Sequence, residues 1–421
     1  MTNMKFQPVK GTRDFYPEQM AFRNWLFGKM REVSQRFGYQ EYDGPILEPL
    51  ELYAAKSGEE LISKQTFILT DRGDRKLALR PEMTPTLARM VAQKQNEYPK
   101  PIKWFNIGPR FRYEQPQKGR GREFYQWDID LIGINTPEAD AEILSTAAAV
   151  LNSVGLSPEE VKIKVNDRQL IEKKLAFIEI KDEQKNEVFR AIDRRNKLDP
   201  TEWESWLSEI GLNSLQINDL KGILADKDFA EESETLTRIF STLDDLGLKD
   251  YVEFDPNIVR GLEYYTGVVF EAFDTGGKFR AILGGGRYDN LVEIVGGQPL
   301  PAIGFAMGDQ VVEEVLKEYG KWPQITISPT KVLITLFNES LVRDSLKLAQ
   351  SLRKEGINTE IYPETVKLEK QLKYAAAKGI PFVIILGPEE LANNKVVLKD
   401  MKSGEQKEVP KDQLPDEFKT E

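Results

Sequence analysis

The sequence predicts an α/β protein in three parts: an α+β region built on an antiparallel sheet with flanking helices, a helical module inserted into it, and a C-terminal βαβαβ unit. Three observations carry this. Residues 110–130 read as two alternating arms joined by a loop of charge and glycine. Residues 155–250 are charged and helical in pattern. After "KWPQITISPT", apolar strand-like runs alternate with helical ones. At 421 residues the chain has room for about two or three domains of ordinary size.

The first element is an amphipathic helix. Phe22, Leu26, Met30, Val33 and Phe37 recur at helical spacing, with Pro17 near the start and Gly38 at the stop. In "LALRPEMTPTLARM" (77–90), Arg80, Glu82 and Thr84 hold alternate positions where a strand runs into a helix. The hairpin "RFRYEQPQKGRGREFYQWDID" follows. Alternation puts Arg110, Arg112 and Glu114 on one face of its first arm, and Phe124, Gln126, Asp128 and Asp130 together on its second. One face is therefore apolar, and the other carries two arginines, three carboxylates and an amide.

From 155 to 250 there is no strand alternation and no glycine motif, and Pro200 marks a break, so an inserted helical module is expected. Strand signals return at "GVVFEAF" (267–273); "DTGGK" supplies turn chemistry and "FRAILGGGRYD" (279–289) the return strand. Arg260, Tyr264 and Tyr265 stand just before this hairpin. The glycines of "LGGGRYD" mark either a bulge or a close approach of ligand to backbone. The C-terminal unit reads as strand "KVLITLF", helix 341–354, a strand near "NTEIY", helix 367–378 and strand "PFVIILG". It lacks a glycine fingerprint between strand and helix, which favours a compact binding or packing domain over a dinucleotide site.

Composition narrows the chemistry. Forty per cent hydrophobic and 30% charged residues suit a soluble globular protein, and the longest apolar runs fall short of the roughly 20 residues of a membrane helix. The first 20 residues lack a signal-peptide pattern, so cytoplasmic is the expectation. With no cysteine and no histidine, disulfides and thiolate metal sites are excluded, and the commonest metal ligand and general base are missing. The net charge of −10 argues against broad attraction to nucleic acid, yet residues 100–122 hold seven basic residues against one acid. A local positive site on an acidic body suits a polyanion that docks in one place.

Together these motifs resemble the class II aminoacyl-tRNA synthetases, and within them the histidyl-tRNA synthetase family, over essentially the whole chain. "KGTRDFYP" with "GPILEP" is similar to motif 1, "FRYEQPQKGRGREFYQWDID" to motif 2, and "RGLEYYTG" to the family's histidine-pocket motif, followed by "GGGRYD" and "GFAMG". The resemblance implies a catalytic domain over 1–154 and 251–322, a helical insertion over 155–250, and an anticodon-binding domain over 330–421. It implies activation of histidine by ATP with Mg2+, no metal held by the protein itself, transfer to tRNA(His), and a homodimer joined through motif 1. Arg112 and Arg260 would hold the α-phosphate; Glu114 would meet the adenine amino group, Phe124 the adenine ring and Arg120 the distal phosphates. Glu82, Thr84 and Gln126 would hold the α-ammonium, with Asp130, Tyr264 and Tyr265 around the imidazole. Gln115, Gln117, Lys118 and Arg122 would approach the acceptor end of tRNA.

Two departures stand out. Asp130 replaces a glutamate common in bacterial members. Motif 3 normally ends in a Glu-Arg pair whose arginine packs on adenine and reaches the γ-phosphate, but "GFAMGDQVVEEV" has Gln310 and Val311 there. The second departure keeps open an alternative, a catalytically silent synthetase-like regulatory subunit of ATP phosphoribosyltransferase; the anticodon-binding resemblance of 330–421 favours the enzyme.

Overall fold

The computed structural model describes residues 6–54, 65–115, 119–261 and 264–418. The chain forms two compact units, Met1–Asp14 with Arg23–Trp322, and Phe15–Phe22 with Pro323–Glu421. The first unit carries β1 (Gln40–Glu41), β2 (Leu47–Pro49), β3 (Phe67–Thr70), β4 (Lys76–Leu79), β5 (Ile102–Phe111) and β6 (Glu123–Ile132). It continues with β7 (Val161–Asp167), β8 (Val252–Phe254), β9 (Val268–Asp274), β10 (Leu283–Arg287) and β11 (Ala302–Gly308). Eight of these form one sheet in the order β1-β5-β6-β11-β10-β9-β7-β8, and β2-β4-β3 form a small antiparallel one.

The central pairings are antiparallel, with Arg110 opposite Phe124, Asn106 opposite Asp128, and Asp130 opposite Gly304 of β11. The parallel pairs β1–β5 and β7–β8 lie at the two edges. Because alternate residues face opposite ways, the sheet has a polar front and an apolar back. Trp127 and Phe305 meet edge to face on the back, ring centroids 5.1 Å apart. Two helices cover that side. From Pro17–Arg36, Ser34 Oγ accepts the Trp127 indole N–H at 3.0 Å; from Pro137–Ser153, Glu142 pairs with Lys103 at 2.5 Å and Asp140 with Arg287. The expected stripe of the first helix is buried at Phe22, Leu26, Met30 and Val33 and partly buried at Phe37. Each fully buried side chain of this kind stabilises the fold by roughly 1.5–3 kcal/mol.

The expectation of an unbroken helical stretch from 155 is corrected at its start. Val161–Asp167 is β7, paired with β9 and β8. Val161, Ile163 and Val165 turn into the core while Lys162 and Lys164 face the front, an alternation that two lysines disguise as part of a charged run. Helices then follow over Arg168–Phe177, Asp182–Arg194, Pro200–Glu209, Ser214–Ala225 and Glu234–Asp245. Pro200 opens a helix rather than ending one: it sits at the first helical position, and Asp199 caps it by accepting from Thr201 N.

In the second unit β12 (Val332–Ile334) pairs parallel with both β13 (Thr359–Ile361) and β14 (Phe382–Ile385), with helices Val342–Lys354 and Leu368–Ala377 between them in the chain. This is the expected βαβαβ unit. An antiparallel hairpin, β15 (Lys395–Asp400) and β16 (Gln406–Pro410), extends the sheet beyond β14. Among the described residues no helix is long and apolar enough to cross a membrane.

Arg110 has no exposed surface; it is paired with Asp128 at 2.6 Å and donates to Asn106 Oδ1 at 2.8 Å. Arg110→Leu leaves Asp128 and Asn106 without their partner and should lower the unfolding free energy in urea by about 3 kcal/mol or more. Arg36→Leu, which breaks an exposed pair with Glu32, should change it by less than about 1 kcal/mol.

Candidate active site

A cleft of about 1360 Å³ opens on the polar front of the large sheet. Alternate positions supply its floor: Phe124, Gln126, Asp128 and Asp130 from β6, Glu271 and Phe273 from β9, and Lys162 and Lys164 from β7. Between β6 and β9 run β10 and β11, which are nearly bare on this face. A Cβ at Gly284 would stand 2.6 Å from Arg260 Nη1, one at Gly286 2.9 Å from Tyr265 Cδ1, and one at Gly304 would overlap the Asp130 carboxylate. The register of β10 with β11 runs unbroken from Leu283 to Arg287. The triple glycine is therefore no bulge; it makes room for the protein's own side chains.

One end of the cleft is lined by tyrosines and carboxylates. The Tyr264 hydroxyl donates to Glu82 Oε2 at 3.2 Å, and the Tyr288 hydroxyl donates to Asp130 Oδ1. The Tyr264 ring lies 4.8 Å from Tyr265 and 6.1 Å from Tyr288, and all three pack with Leu87 and Val91 of the helix Thr84–Lys94. Burial pushes the Asp130 carboxyl up to about 8; the Tyr288 hydrogen bond opposes this and the neighbouring Asp128 adds to it. Burial also raises Asp128, against the pull of Arg110. Glu82 and Thr84 reach this end because β4 stops at Leu79 and the next helix begins at Thr84 with Pro85 in its first turn. The result is a place for a cation at Glu82 and, at Asp130, for a polar ring that exchanges one proton.

The middle holds two guanidiniums. Arg112 Nε donates to Pro81 O at 3.0 Å, and its guanidinium lies 5.2 Å from the centre of the Phe124 ring. Arg260 has φ 57°, a left-handed backbone that costs a non-glycine residue roughly 1 kcal/mol or more. Its ion pair with Glu271 fixes the side chain over Gly284. Two arginines in one cleft make a site for a phosphate or similar anion.

At the far end Glu114 is paired with Arg120, and the helix Asp309–Glu318 starts against the loop. Asp309 takes Arg13 at 2.6 Å and the Tyr125 N–H at 3.1 Å, while Gln310 Nε2 donates to Glu123 O at 3.5 Å. Gln310 and Val311 both line the cleft. An aromatic face at Phe124 with a carboxylate at Glu114 suits a planar base bearing an amino group.

Eleven residues expected from the sequence thus line one cleft: Glu82, Thr84, Arg112, Glu114, Arg120, Phe124, Gln126, Asp130, Arg260, Tyr264 and Tyr265. Gln115 and Arg122 do not. Gln115 is exposed, and Arg122 lies 4.3 Å from the Tyr113 ring centre with its Nε donated to Glu114 O. Gln117 and Lys118 fall outside the described residues. Arg80 and Arg110, on the polar faces read from the sequence, are buried supports; Arg80 donates to Asp43 and Gly44 O at 2.8 Å and to Pro109 O at 3.0 Å. Sequence reasoning missed Tyr288 and Glu271. Both were within reach: the alternation that places Gly284 and Gly286 on the front carries on to Tyr288, and Glu271 is the register partner of Gly284.

Comparison with known proteins gives a consistent picture. The family described as histidyl-tRNA synthetase matches residues 11–311, and an anticodon binding domain matches 331–421. The histidine–tRNA ligase of Leptospira biflexa serovar Patoc is 40% identical over 94% of this chain and 93% of its own length. That of Haloarcula marismortui is 37% identical over 98% of both. Among solved structures, histidyl-tRNA synthetase from Nostoc sp. PCC 7120 superposes with a TM-score of 0.83 at 25% identity, covering 99% of each chain. An ATP phosphoribosyltransferase regulatory subunit/histidyl-tRNA synthetase from Bacillus halodurans, at 23% identity and a TM-score of 0.75, shares the fold.

Tyr288→Phe removes a donor that favours the ionised form of Asp130. The Asp130 pKa should then rise above its value of about 8. Carboxyl carbon NMR followed through a pH titration reads the change directly; a fall would mean that the phenol does not stabilise the carboxylate.

Proposed function

The chain belongs to the histidyl-tRNA synthetase family, and from that premise we propose that its cleft joins histidine to ATP and passes the histidyl group to the 3′ end of tRNA(His). The observation that carries the reading is that Arg112 and Arg260 line the same cleft, between an end fitted to an amino acid and an end fitted to a nucleotide. Glu82, Thr84 and Gln126 hold the α-ammonium. Asp130, with Tyr288 behind it and Tyr264 and Tyr265 beside it, receives the imidazole. An imidazole with an ordinary pKa of about 6.5 facing a carboxyl at about 8 shares one proton with it near neutral pH.

The reaction needs no histidine from the protein. The carboxylate of the substrate is already ionised and attacks the α-phosphorus of ATP; the new C–O–P link forms as the bond to pyrophosphate breaks. What must be supplied is positive charge at the five-coordinate phosphorus, which is the task of Arg112 and Arg260. Adenine stacks on Phe124 and its amino group donates to Glu114. Arg120, now bound to Glu114, is released towards the distal phosphates as ATP enters. Mg2+ accompanies ATP and offsets phosphate charge. Among the described residues no group of three or more carboxylates converges, so phosphate oxygens and water would be its main ligands.

The terminal hydroxyl of tRNA then attacks the activated carbonyl and AMP leaves. Gln115, Gln117, Lys118 and Arg122 approach the acceptor end, and the 331–421 region reads the anticodon. The domain limits follow the same reading: catalysis over 1–154 and 251–322, to which the pairing of β7 adds residues up to Asp167, so that the insertion starts after β7. It also puts the enzyme in the cytoplasm as a homodimer. Support for the dimer comes from Ile46, Leu47, Ile68 and Leu69 around the small sheet, each 43–45% exposed. The curated relatives and the anticodon-domain match favour the ligase over the regulatory-subunit alternative.

Histidine-dependent ATP–pyrophosphate exchange is the deciding assay. The unaltered protein should catalyse it, and Arg260→Ala should lower the rate by on the order of 10²-fold or more while leaving the fold intact by circular dichroism. Absence of exchange in the unaltered protein would favour the regulatory reading. Light scattering at micromolar concentration should give twice the chain mass of 48.1 kDa, and Leu47→Asp with Leu69→Asp should shift it towards the monomer.

A further inference from the structure

The helices inserted after β7 take no part in the reaction assigned above, yet they reach the backbone on both sides of Arg260. The segment 255–261 runs from the end of β8 past that arginine, whose φ is 57°. The large sheet holds this segment from one side. Lys164 on β7 pairs with Asp255 at 2.8 Å, and the buried Asn166 donates Nδ2 to Pro256 O at 3.2 Å and to Ile258 O at 3.0 Å. Arg168 donates to Val259 O at 3.3 Å, its guanidinium 4.3 Å from the ring centre of Phe189 on the helix Asp182–Arg194.

The insertion holds the segment from the other side. Asn257 Oδ1 accepts from Arg195 Nη1 at 2.9 Å, and Asn257 Nδ2 donates to Leu224 O at 3.0 Å and to Asp255 Oδ1 at 2.8 Å. Arg195 opens the short turn Arg195–Lys197 that continues the helix Asp182–Arg194, and its guanidinium lies 5.3 Å from the centre of the Trp203 ring. Leu224 belongs to the last turn of Ser214–Ala225. Beyond Arg260, a Cβ at Gly261 would stand 3.5 Å from Asp193 Oδ2, on the same helix end that carries Arg195. One helix end thus meets the chain at 257 and again at 261, with Arg260 between.

We propose that Arg195 is a positioning residue for the reacting centre: through Asn257 it holds 255–261 in the bend that aims Arg260 over Gly284. A left-handed backbone at a non-glycine residue persists only where its surroundings fix it. Released at 257, the segment relaxes towards a negative φ at Arg260 and carries the guanidinium away from Gly284 and Glu271. Arg195 is not among the residues that line the cleft, whereas Asn257 and Arg260 are. The inserted module therefore acts on catalysis through the backbone, without touching substrate at Arg195. The inference rests on the reading of Arg260 as a group at the α-phosphate.

Two measurements on the full chain test this: histidine-dependent ATP–pyrophosphate exchange, and deuterium uptake of the peptide 252–261. Arg195→Met keeps a stem over Trp203 and removes the donor. It should lower kcat by on the order of 10-fold or more with KM for ATP and histidine within about threefold, because the displaced contact belongs to the transition state. Arg195→Lys should recover part of the rate, and Asn257→Ala, which opens the clasp from the other side, should repeat the loss. Lys221→Ala breaks an ion pair with Glu204 inside the module and should keep the rate of the unaltered protein. On an Arg260→Ala background, Arg195→Met should cost less than about a further twofold, since the group it aims is gone. An unchanged rate in Arg195→Met, losses that multiply on that background, or an equal loss in Lys221→Ala would overturn the assignment. Deuterium uptake separates the two levels. If the unaltered protein exchanges no pyrophosphate, the reaction assigned above fails, and the clasp is decided by whether Arg195→Met speeds uptake over 252–261 by about tenfold, the worth of one charge-assisted hydrogen bond.

Discussion

Strands β10 and β11 carry no side chains where Arg260, Tyr265 and Asp130 lie, and this bare ground on the front of the sheet is what the site depends on. In a regular strand every second residue projects into the cleft; here those positions are Gly284, Gly286 and Gly304. Glycine in a strand interior costs roughly 0.5–1 kcal/mol in chain entropy. The cost is offset from behind, where Phe270 and Phe305 pack at 6.1 Å beneath the same strands and the two helices close the back. A sheet eight strands wide can lose three side chains from one face because the other face is complete. Narrower scaffolds would have no such margin.

The same division of labour appears among the arginines. Arg80 and Arg110 are held by fixed acceptors in the protein, namely Asp43, Gly44 O, Pro109 O, Asn106 and Asp128. They hold the edge of β4 and the pairing of β5 with β6. Arg112 and Arg260 occupy the cleft, one braced by a single carbonyl and the ring of Phe124, the other by Glu271. In a chain without histidine the positive charges proposed to grip a phosphate and those that keep the sheet in register are of one residue type, and their partners set them apart.

Much of this was legible in the sequence because alternation is local. The polar face of β6, the apolar face opposite it and the helix stripe at Leu26, Met30 and Val33 need only the period of the element that bears them. The strand β7 was misread for the opposite reason: its front carries Lys162 and Lys164, whose long charged side chains over a cleft look the same in sequence as a solvated helix. The hairpin of β15 and β16 escaped because Lys395, Lys399 and Lys407 dilute its apolar positions. The face that bears Tyr288 follows from the same alternation, but its partner does not: Tyr288 acts by meeting Asp130, far along the chain, and a period within one strand says nothing about which distant segment lies across from it.

The closed end of the cleft, where Tyr288 meets Asp130, lies in a protein that has no histidine anywhere in its 421 residues. Every imidazole nitrogen resonance from a complex with isotopically labelled histidine therefore arises from the bound ligand. With Asp130 as the proposed partner of the imidazole, the tautomer of the bound histidine and the position of any proton shared with that carboxyl can be read in the unmodified enzyme, with no background to subtract. The composition of the chain turns its own pocket into a dark field in which only the substrate is seen.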